Sequence, residues 1–115
     1  MLVVNRFVVD GDDTDFRARA GTALAALGAR PGYLRGQLGR AYDDPTRWTL
    51  ITEWESVGAY RRALSSYEVK VEATPLLAES LDEPSALEIL AEAAPGQPVV
   101  LAESDLATSA PRLRS

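Results

Sequence analysis

The sequence predicts an α+β domain with one four-stranded antiparallel sheet. Four segments show the apolar alternation of strands and two show the apolar spacing of helices, and they follow one another in the order βαββαβ. The length of 115 residues is enough for one hydrophobic core but not for two. No apolar run approaches the roughly 20 residues of a membrane-spanning helix, so we expect a globular domain.

The first predicted strand covers residues 2–9, a β-branched and aromatic run that Asn5 interrupts. Asp12 or Asp13 is expected to cap the next helix, because a short carboxylate accepts hydrogen bonds from the free amides of a first turn. Apolar residues then recur at helical spacing and predict one buried stripe. The stripe consists of Phe16, Ala20, Ala23, Leu24 and Leu27.

A Pro-Gly pair at residues 31–32 turns the chain into the second predicted strand, residues 33–42. An Asp-Asp-Pro turn is typical of a hairpin connection and leads to the third strand, Arg47–Trp54. Because side chains alternate along a strand, four residues of the third strand share one face and Ile51 lies on the other. The four are Trp48, Leu50, Thr52 and Trp54.

The second crossover is predicted to be one bent helix. Ser56 is a suitable N-cap, and a further helical piece begins near Tyr67 and is interrupted at Pro75. Residues 86–91 alternate again and predict the fourth strand. The complete order is the split βαβ pattern of a ferredoxin-like fold.

One face of this sheet is expected to need a cover from another molecule. The helices cover one face only, while Ile51 and the small residues of the second strand leave the other face weakly polar. A second copy related by a two-fold axis is the simplest cover, so we expect a homodimer with the architecture of a dimeric α+β barrel.

The chain is expected to divide into a domain, residues 1–94, and a C-terminal tail, residues 95–115. The tail is rich in Pro, Gly, Ser and Ala, which is typical of partial disorder. The alternative is that residues 99–102 form an extra strand or arm that contacts a partner subunit.

Composition excludes several classes of site. The chain has no Cys and no His, so it offers no thiolate nucleophile, no imidazole base or haem ligand, and no ordinary zinc site. No metal or cofactor is therefore expected.

The charge pattern argues against binding to nucleic acid, because the net charge is −5 and the arginines are scattered. The N-terminus does not resemble a signal peptide, so a cytoplasmic protein is expected. A high Arg content against a single Lys favours a GC-rich bacterial source.

Residues 48–61 read Trp-Thr-Leu-Ile-Thr-Glu-Trp-Glu-Ser-Val-Gly-Ala-Tyr-Arg. A strand that ends in Trp-Glu-Ser and a helix with an aromatic residue at Tyr60 resemble the antibiotic-biosynthesis monooxygenase family, as does the Pro-Gly-Tyr turn into the second strand. The resemblance covers about residues 1–91. It implies a ferredoxin-like fold and one of several activities, which include cofactor-independent oxygenation of aromatic polyketides, haem degradation and quinol oxidation.

The sequence differs from two kinds of family member at positions that are important for their activities. Members that oxygenate polyketide anthrones carry an Asn where this chain has Leu50. Haem-degrading members carry a helical Trp where this chain has Ala63 and a haem-ligating His where it has Glu72. Haem breakdown by that route is therefore not expected here.

The resemblance implies a cofactor-independent monooxygenase of a polycyclic aromatic or quinone-like metabolite. Asn5, Trp54 and Tyr60 are the predicted catalytic residues, and core packing is the alternative for the two aromatic ones. Asn5 stands among apolar residues, so its amide is either bonded to a neighbouring backbone or directed at a pocket. The predicted substrate-binding residues are Phe7, Trp48, Leu50 and Arg35. The alternative function is a non-catalytic dimeric module that binds or stabilises a hydrophobic metabolite or a partner biosynthetic enzyme.

Overall fold

The computed structural model describes residues 1–104 and confirms the α+β fold. Its antiparallel sheet contains β1 (Leu2–Val8), β2 (Tyr33–Arg40), β3 (Arg47–Trp54) and β4 (Ala86–Leu87), in the order β2-β3-β1-β4. The strands β1 and β4 are therefore neighbours in this sheet, as the split βαβ pattern requires.

The helices are α1 (Thr14–Gly28), α2 (Val57–Ser65), α3 (Tyr67–Glu72) and α4 (Thr74–Leu77). The predicted single bent crossover is thus three short helices. Its last break falls at Ala73 and not at Pro75, because Pro75 lies in the first turn of α4, where no intrahelical N–H is needed. No helix within residues 1–104 is long and apolar enough to cross a membrane.

The N-terminal cap of α1 differs in detail from the expectation. Asp13 is the N-cap residue, yet its side chain makes no capping hydrogen bond. Asp12 instead accepts hydrogen bonds from the backbone N–H of Thr14 at 3.0 Å and from its hydroxyl at 2.7 Å, and these bonds lower the pKa of Asp12. Asp13 is left to pair with Arg40 at 3.3 Å.

The Ser56 cap is confirmed, because Ser56 Oγ accepts a hydrogen bond from the backbone N–H of Ala59 at 3.1 Å. Ser56→Ala is expected to lower the free energy of unfolding by about 1 kcal/mol in urea titrations, since that N–H loses its partner. Ser65→Ala is the matched control, because the exposed Ser65 hydroxyl only donates back to the Arg61 carbonyl in the last turn of α2. Equal losses in the two variants would contradict the capping role.

The core lies between the helices and one face of the sheet. The predicted stripe of α1 is confirmed, with Leu24 partly buried and the other four residues buried. The predicted face of β3 is also confirmed, since its four residues are buried while Ile51 is 38% exposed on the opposite face. The buried set of the sheet comprises Val3, Phe7, Trp48, Leu50, Thr52 and Trp54.

The fourth strand is shorter than predicted. Only Ala86–Leu87 pairs with β1, because Leu87 lies opposite Leu2, where β1 begins, and no further residue of that strand is available. The chain leaves the sheet there. Two later segments, β5 (Ala91–Glu92) and β6 (Val100–Leu101), pair with each other as a separate antiparallel ribbon.

This ribbon bears on the two alternatives for the tail. The division expected after residue 94 falls in the connection between β5 and β6, where Gly96 has a φ of 72°. A strand is thus present within residues 99–102, as in the second alternative, although its partner is β5 of the same chain. Contact with another subunit stays a prediction, and residues 105–115 lie outside the described part of the chain.

Candidate functional site

The predicted site residues lie on both faces of the sheet. Asn5 lies opposite Leu50 and Phe7 lies opposite Trp48 in the pairing of β1 with β3, and directly opposed residues share a face. This face is the one that the helices cover. Arg35 lies across from Glu53 on the other face and pairs with its carboxylate at 3.1 Å. Within one chain, Arg35 is therefore separated from the remaining candidates by the sheet.

One end of the covered face holds an aromatic cluster formed by Phe7, Phe16 and Trp48. The Phe16 ring meets Phe7 edge to face at 5.2 Å and Trp48 at 5.4 Å between centroids. The Arg40 guanidinium lies over the Trp48 ring, 5.2 Å from its centroid. The Trp48 indole N–H is buried and has no hydrogen-bond partner within residues 1–104.

A second aromatic cluster lies at the other end of this face. Trp54 is 1% exposed and packs between Tyr33, at 5.3 Å between centroids, and Tyr60, at 5.4 Å. Its indole N–H donates a hydrogen bond to Thr52 Oγ1 at 2.9 Å. Trp54 can therefore contribute a wall to a site, while its only polar group is already bonded.

Thr52 and Tyr33 were not among the predicted site residues. The alternation of β3 places Thr52 two residues from Trp54 on the same face, so this signal was present in the sequence. Tyr33 belongs to the Pro-Gly-Tyr turn, but its contact with Trp54 depends on the pairing of β2 with β3.

The Asn5–Leu50 pair lies between the two aromatic clusters. Leu50 is buried and fills the core, while Asn5 is half-buried. The side-chain amide of Asn5 makes no hydrogen bond within the described part of the chain. Of the two alternatives for this amide, the bond to a neighbouring backbone is not formed within residues 1–104, which leaves its donor and acceptor free for another partner.

Tyr60 contributes a protonated phenol at the Trp54 end of the covered face. Burial raises the pKa of Tyr60 above its usual value, because the phenolate loses solvation. The group therefore stays a hydrogen-bond donor at neutral pH. Its hydroxyl makes no hydrogen bond to any of residues 1–104.

A cavity of about 760 Å³ opens at the end of the sheet, beside the β5–β6 ribbon. Trp54 forms part of its wall, but neither Asn5 nor Tyr60 does. Its rim is acidic and includes Glu53, Glu55, Glu88, Glu92 and Glu103. Within the described residues, no three acidic side chains are grouped closely enough to hold a metal ion.

Comparisons with known proteins agree on one family. The family model described as antibiotic biosynthesis monooxygenase matches residues 1–71. Among solved structures, SnoaB from Streptomyces nogalater, a cofactor-independent oxygenase, is 32% identical, with 77% of this chain and 94% of SnoaB covered and a TM-score of 0.62. No curated protein matches the chain significantly.

Two more distant structures share the fold. Rv0793 from Mycobacterium tuberculosis is 23% identical, with 81% of this chain and 97% of that chain covered and a TM-score of 0.63. A conserved protein from Methanosarcina mazei Go1 is 21% identical, with 74% and 84% covered and a TM-score of 0.60. At such identities the likeness concerns the fold alone.

Proposed function

This chain belongs to the antibiotic biosynthesis monooxygenase family, and we propose that it is a cofactor-independent monooxygenase of a flat, polyketide-type aromatic or quinone-like metabolite. The observation that carries the proposal is the unpartnered Asn5 amide between two aromatic clusters on the covered face of the sheet. The similarity to SnoaB, itself a cofactor-independent oxygenase, supports the reaction class.

The chemistry needs little from the protein, because the substrate supplies the electrons. An anthrone that loses a proton becomes an electron-rich anion that passes electrons to dioxygen. In the complete reaction the anthrone methylene loses two hydrogens and becomes a carbonyl, one oxygen atom of dioxygen enters that carbonyl, and the other leaves as water. The protein must bind the ring, stabilise the anion and exclude water.

The residues of the covered face suit these tasks. The Asn5 amide and the Tyr60 phenol are donors for a developing oxyanion. Phe7, Leu50 and Trp54 supply apolar walls in this proposal. Arg35 is left out of the proposed site, because it lies on the opposite face of the sheet.

We further propose a cytoplasmic homodimer in which the exposed face of the sheet is covered by a second copy. Large apolar side chains remain exposed on this face, among them Ile51, Val8 and Leu87. Neither nucleic acid nor a membrane is a proposed partner of a chain with a net charge of −5. Sedimentation of the wild type and of an Ile51→Arg variant tests the dimer, and a monomeric wild type would reject it.

The activity is tested by oxygen consumption with anthrone as substrate. We expect Asn5→Ala and Tyr60→Phe to lower kcat roughly tenfold to a hundredfold, because each removes a donor that stabilises the anion. Tyr67→Phe is the matched control, since the Tyr67 side chain lies on the surface and is 77% exposed. Rates that are the same in all four proteins would reject these roles.

The alternative of a non-catalytic module has its own signature. It gives saturable binding of anthrone under nitrogen together with no oxygen uptake above the spontaneous rate in air. The buried, apolar Leu50 favours this alternative, because family members that oxygenate anthrones carry a polar Asn at its position.

A further inference from the structure

The two indole N–H groups of the chain have opposite surroundings. Trp54 donates to Thr52 Oγ1 at 2.9 Å, so its donor is satisfied inside the core. Trp48 is only 5% exposed, and its indole nitrogen is buried with no partner in the described part of the chain. An indole N–H can only donate, so it has no second way to satisfy itself.

A buried donor without a partner is costly. Leaving such a group unpaired costs roughly 1–3 kcal/mol, and nearly all buried polar groups in folded proteins are therefore bonded to protein, water or ligand. Because Trp48 lies on the sheet face of the proposed site, a ligand atom is a natural partner for this N–H.

Ring contacts hold the Trp48 indole in one orientation before any ligand binds. The ring is held edge to face by Phe16 at 5.4 Å with an interplanar angle of 63°, and Arg40 lies over its face at 5.2 Å. A ring held on its edge and on its face keeps its N–H in one direction, so a ligand would not have to order it.

A second free donor lies close by. Asn5 is the diagonal neighbour of Trp48 across the β1–β3 pair, because Asn5 lies opposite Leu50 and Phe7 opposite Trp48. Diagonal neighbours are about 7–8 Å apart, a spacing that one polycyclic ligand with oxygens on its rings can span. The Asn5 amide also has no partner within residues 1–104.

Displacing Arg40 from the Trp48 ring requires little energy. Arg40 covers the ring with a side chain that is 45% exposed, and its ion pair with Asp13 has a length of 3.3 Å. Exposed ion pairs contribute only about 0–1 kcal/mol and an exposed cation–π contact about 0.5–1 kcal/mol, so a ligand can displace Arg40 from the ring face at a small cost.

We propose that the Trp48 indole N–H donates a hydrogen bond to an oxygen atom of the bound aromatic ligand and thereby selects oxygen-bearing rings over their deoxygenated analogues. The proposal rests on the proposed function, and it makes Trp48, rather than the already bonded Trp54, the indole donor of the site. Trp48, one of the predicted substrate-binding residues, becomes a specificity-determining residue.

The test uses the unaltered chain and two probes, anthrone and 9,10-dihydroanthracene, which differ in one carbonyl oxygen. The chain has two Trp residues, so ¹⁵N-labelled protein gives two indole N–H signals, which contacts to the Phe16 ring assign. Under nitrogen, anthrone is expected to move the Trp48 signal downfield and to slow its hydrogen exchange. The expected change with 9,10-dihydroanthracene is small for both indoles.

Binding to a Trp48→Phe variant provides the second measurement. We expect its affinity for anthrone to fall about tenfold, while its affinity for 9,10-dihydroanthracene changes by less than about twofold, since only the first probe loses a hydrogen bond. Tyr42→Phe is the surface control, because Tyr42 is fully exposed.

The outcomes separate this inference from the function on which it rests. If anthrone binds and the Trp48 signal is unchanged, the N–H does not donate to the ligand. The inference is then overturned, while the proposed function stands. If neither probe binds, both are rejected. If both probes bind equally to the wild type, Trp48 does not select for oxygen.

Discussion

Trp54→Ala is expected to lower the free energy of unfolding by about 3–5 kcal/mol, which is a large part of the 5–15 kcal/mol typical of a small domain. Trp54 is 1% exposed and lies between the rings of Tyr33 and Tyr60, so its removal leaves a cavity and two unsupported aromatic rings. Thermal unfolding should show a melting temperature lower by more than about 10 °C.

Tyr67→Ala is the matched control for this prediction, because it removes an aromatic side chain from an exposed position on α3 and should change stability by less than about 0.5 kcal/mol. A loss below about 1 kcal/mol for Trp54→Ala would show that Trp54 is not a core residue. Trp54→Phe keeps most of the volume and removes only the bond to Thr52, so it is the variant with which to examine activity.

Gly32→Ala is expected to cost roughly 2–5 kcal/mol for two separable reasons. Gly32 has a φ of 89°, which costs a residue with a Cβ about 1–2 kcal/mol. The added Cβ would also overlap Ala59 Cβ of α2, and overpacking costs about 1–3 kcal/mol. The contact is held close, since the N–H of Glu55 donates to the Gly32 carbonyl at 2.8 Å.

Two other glycines separate these contributions in urea titrations. Gly11 has a φ of 76° and open space around it, so Gly11→Ala reports the backbone cost alone. Gly39 has open space and no positive φ, so Gly39→Ala should be neutral or slightly stabilising. If Gly32→Ala and Gly11→Ala lower the free energy of unfolding equally, the overlap with Ala59 does not contribute to the loss.

A residue of the second aromatic cluster supports the fold and lies next to the proposed site, so loss of activity in Trp54→Ala does not identify a catalytic role. Tyr60→Phe keeps the ring that packs on Trp54 and removes only the hydroxyl. This variant therefore tests the donor and not the packing.

Much of the fold was predictable because it depends on local periodicity. The stripe of α1 and the buried face of β3 follow from repeats of 3.6 and two residues, and Ser56 caps α2 through contacts within four residues. The end of β4 was not predictable in this way. The alternation of residues 86–91 suits a longer strand, and only the pairing of Leu87 with Leu2 shows where the partner strand stops.

The candidate site also has features that follow from local sequence and features that depend on the folded structure. The sequence by itself determined which residues of β3 share the covered face, and it placed Asn5 among apolar neighbours, because strand alternation is local. Only the tertiary structure decided that Arg35 is separated from them, that the Trp54 N–H bonds to Thr52, and that the Trp48 N–H has no partner within residues 1–104. Whether a polar group has a partner depends on strand register and on the packing of distant rings, and these are properties of the folded chain.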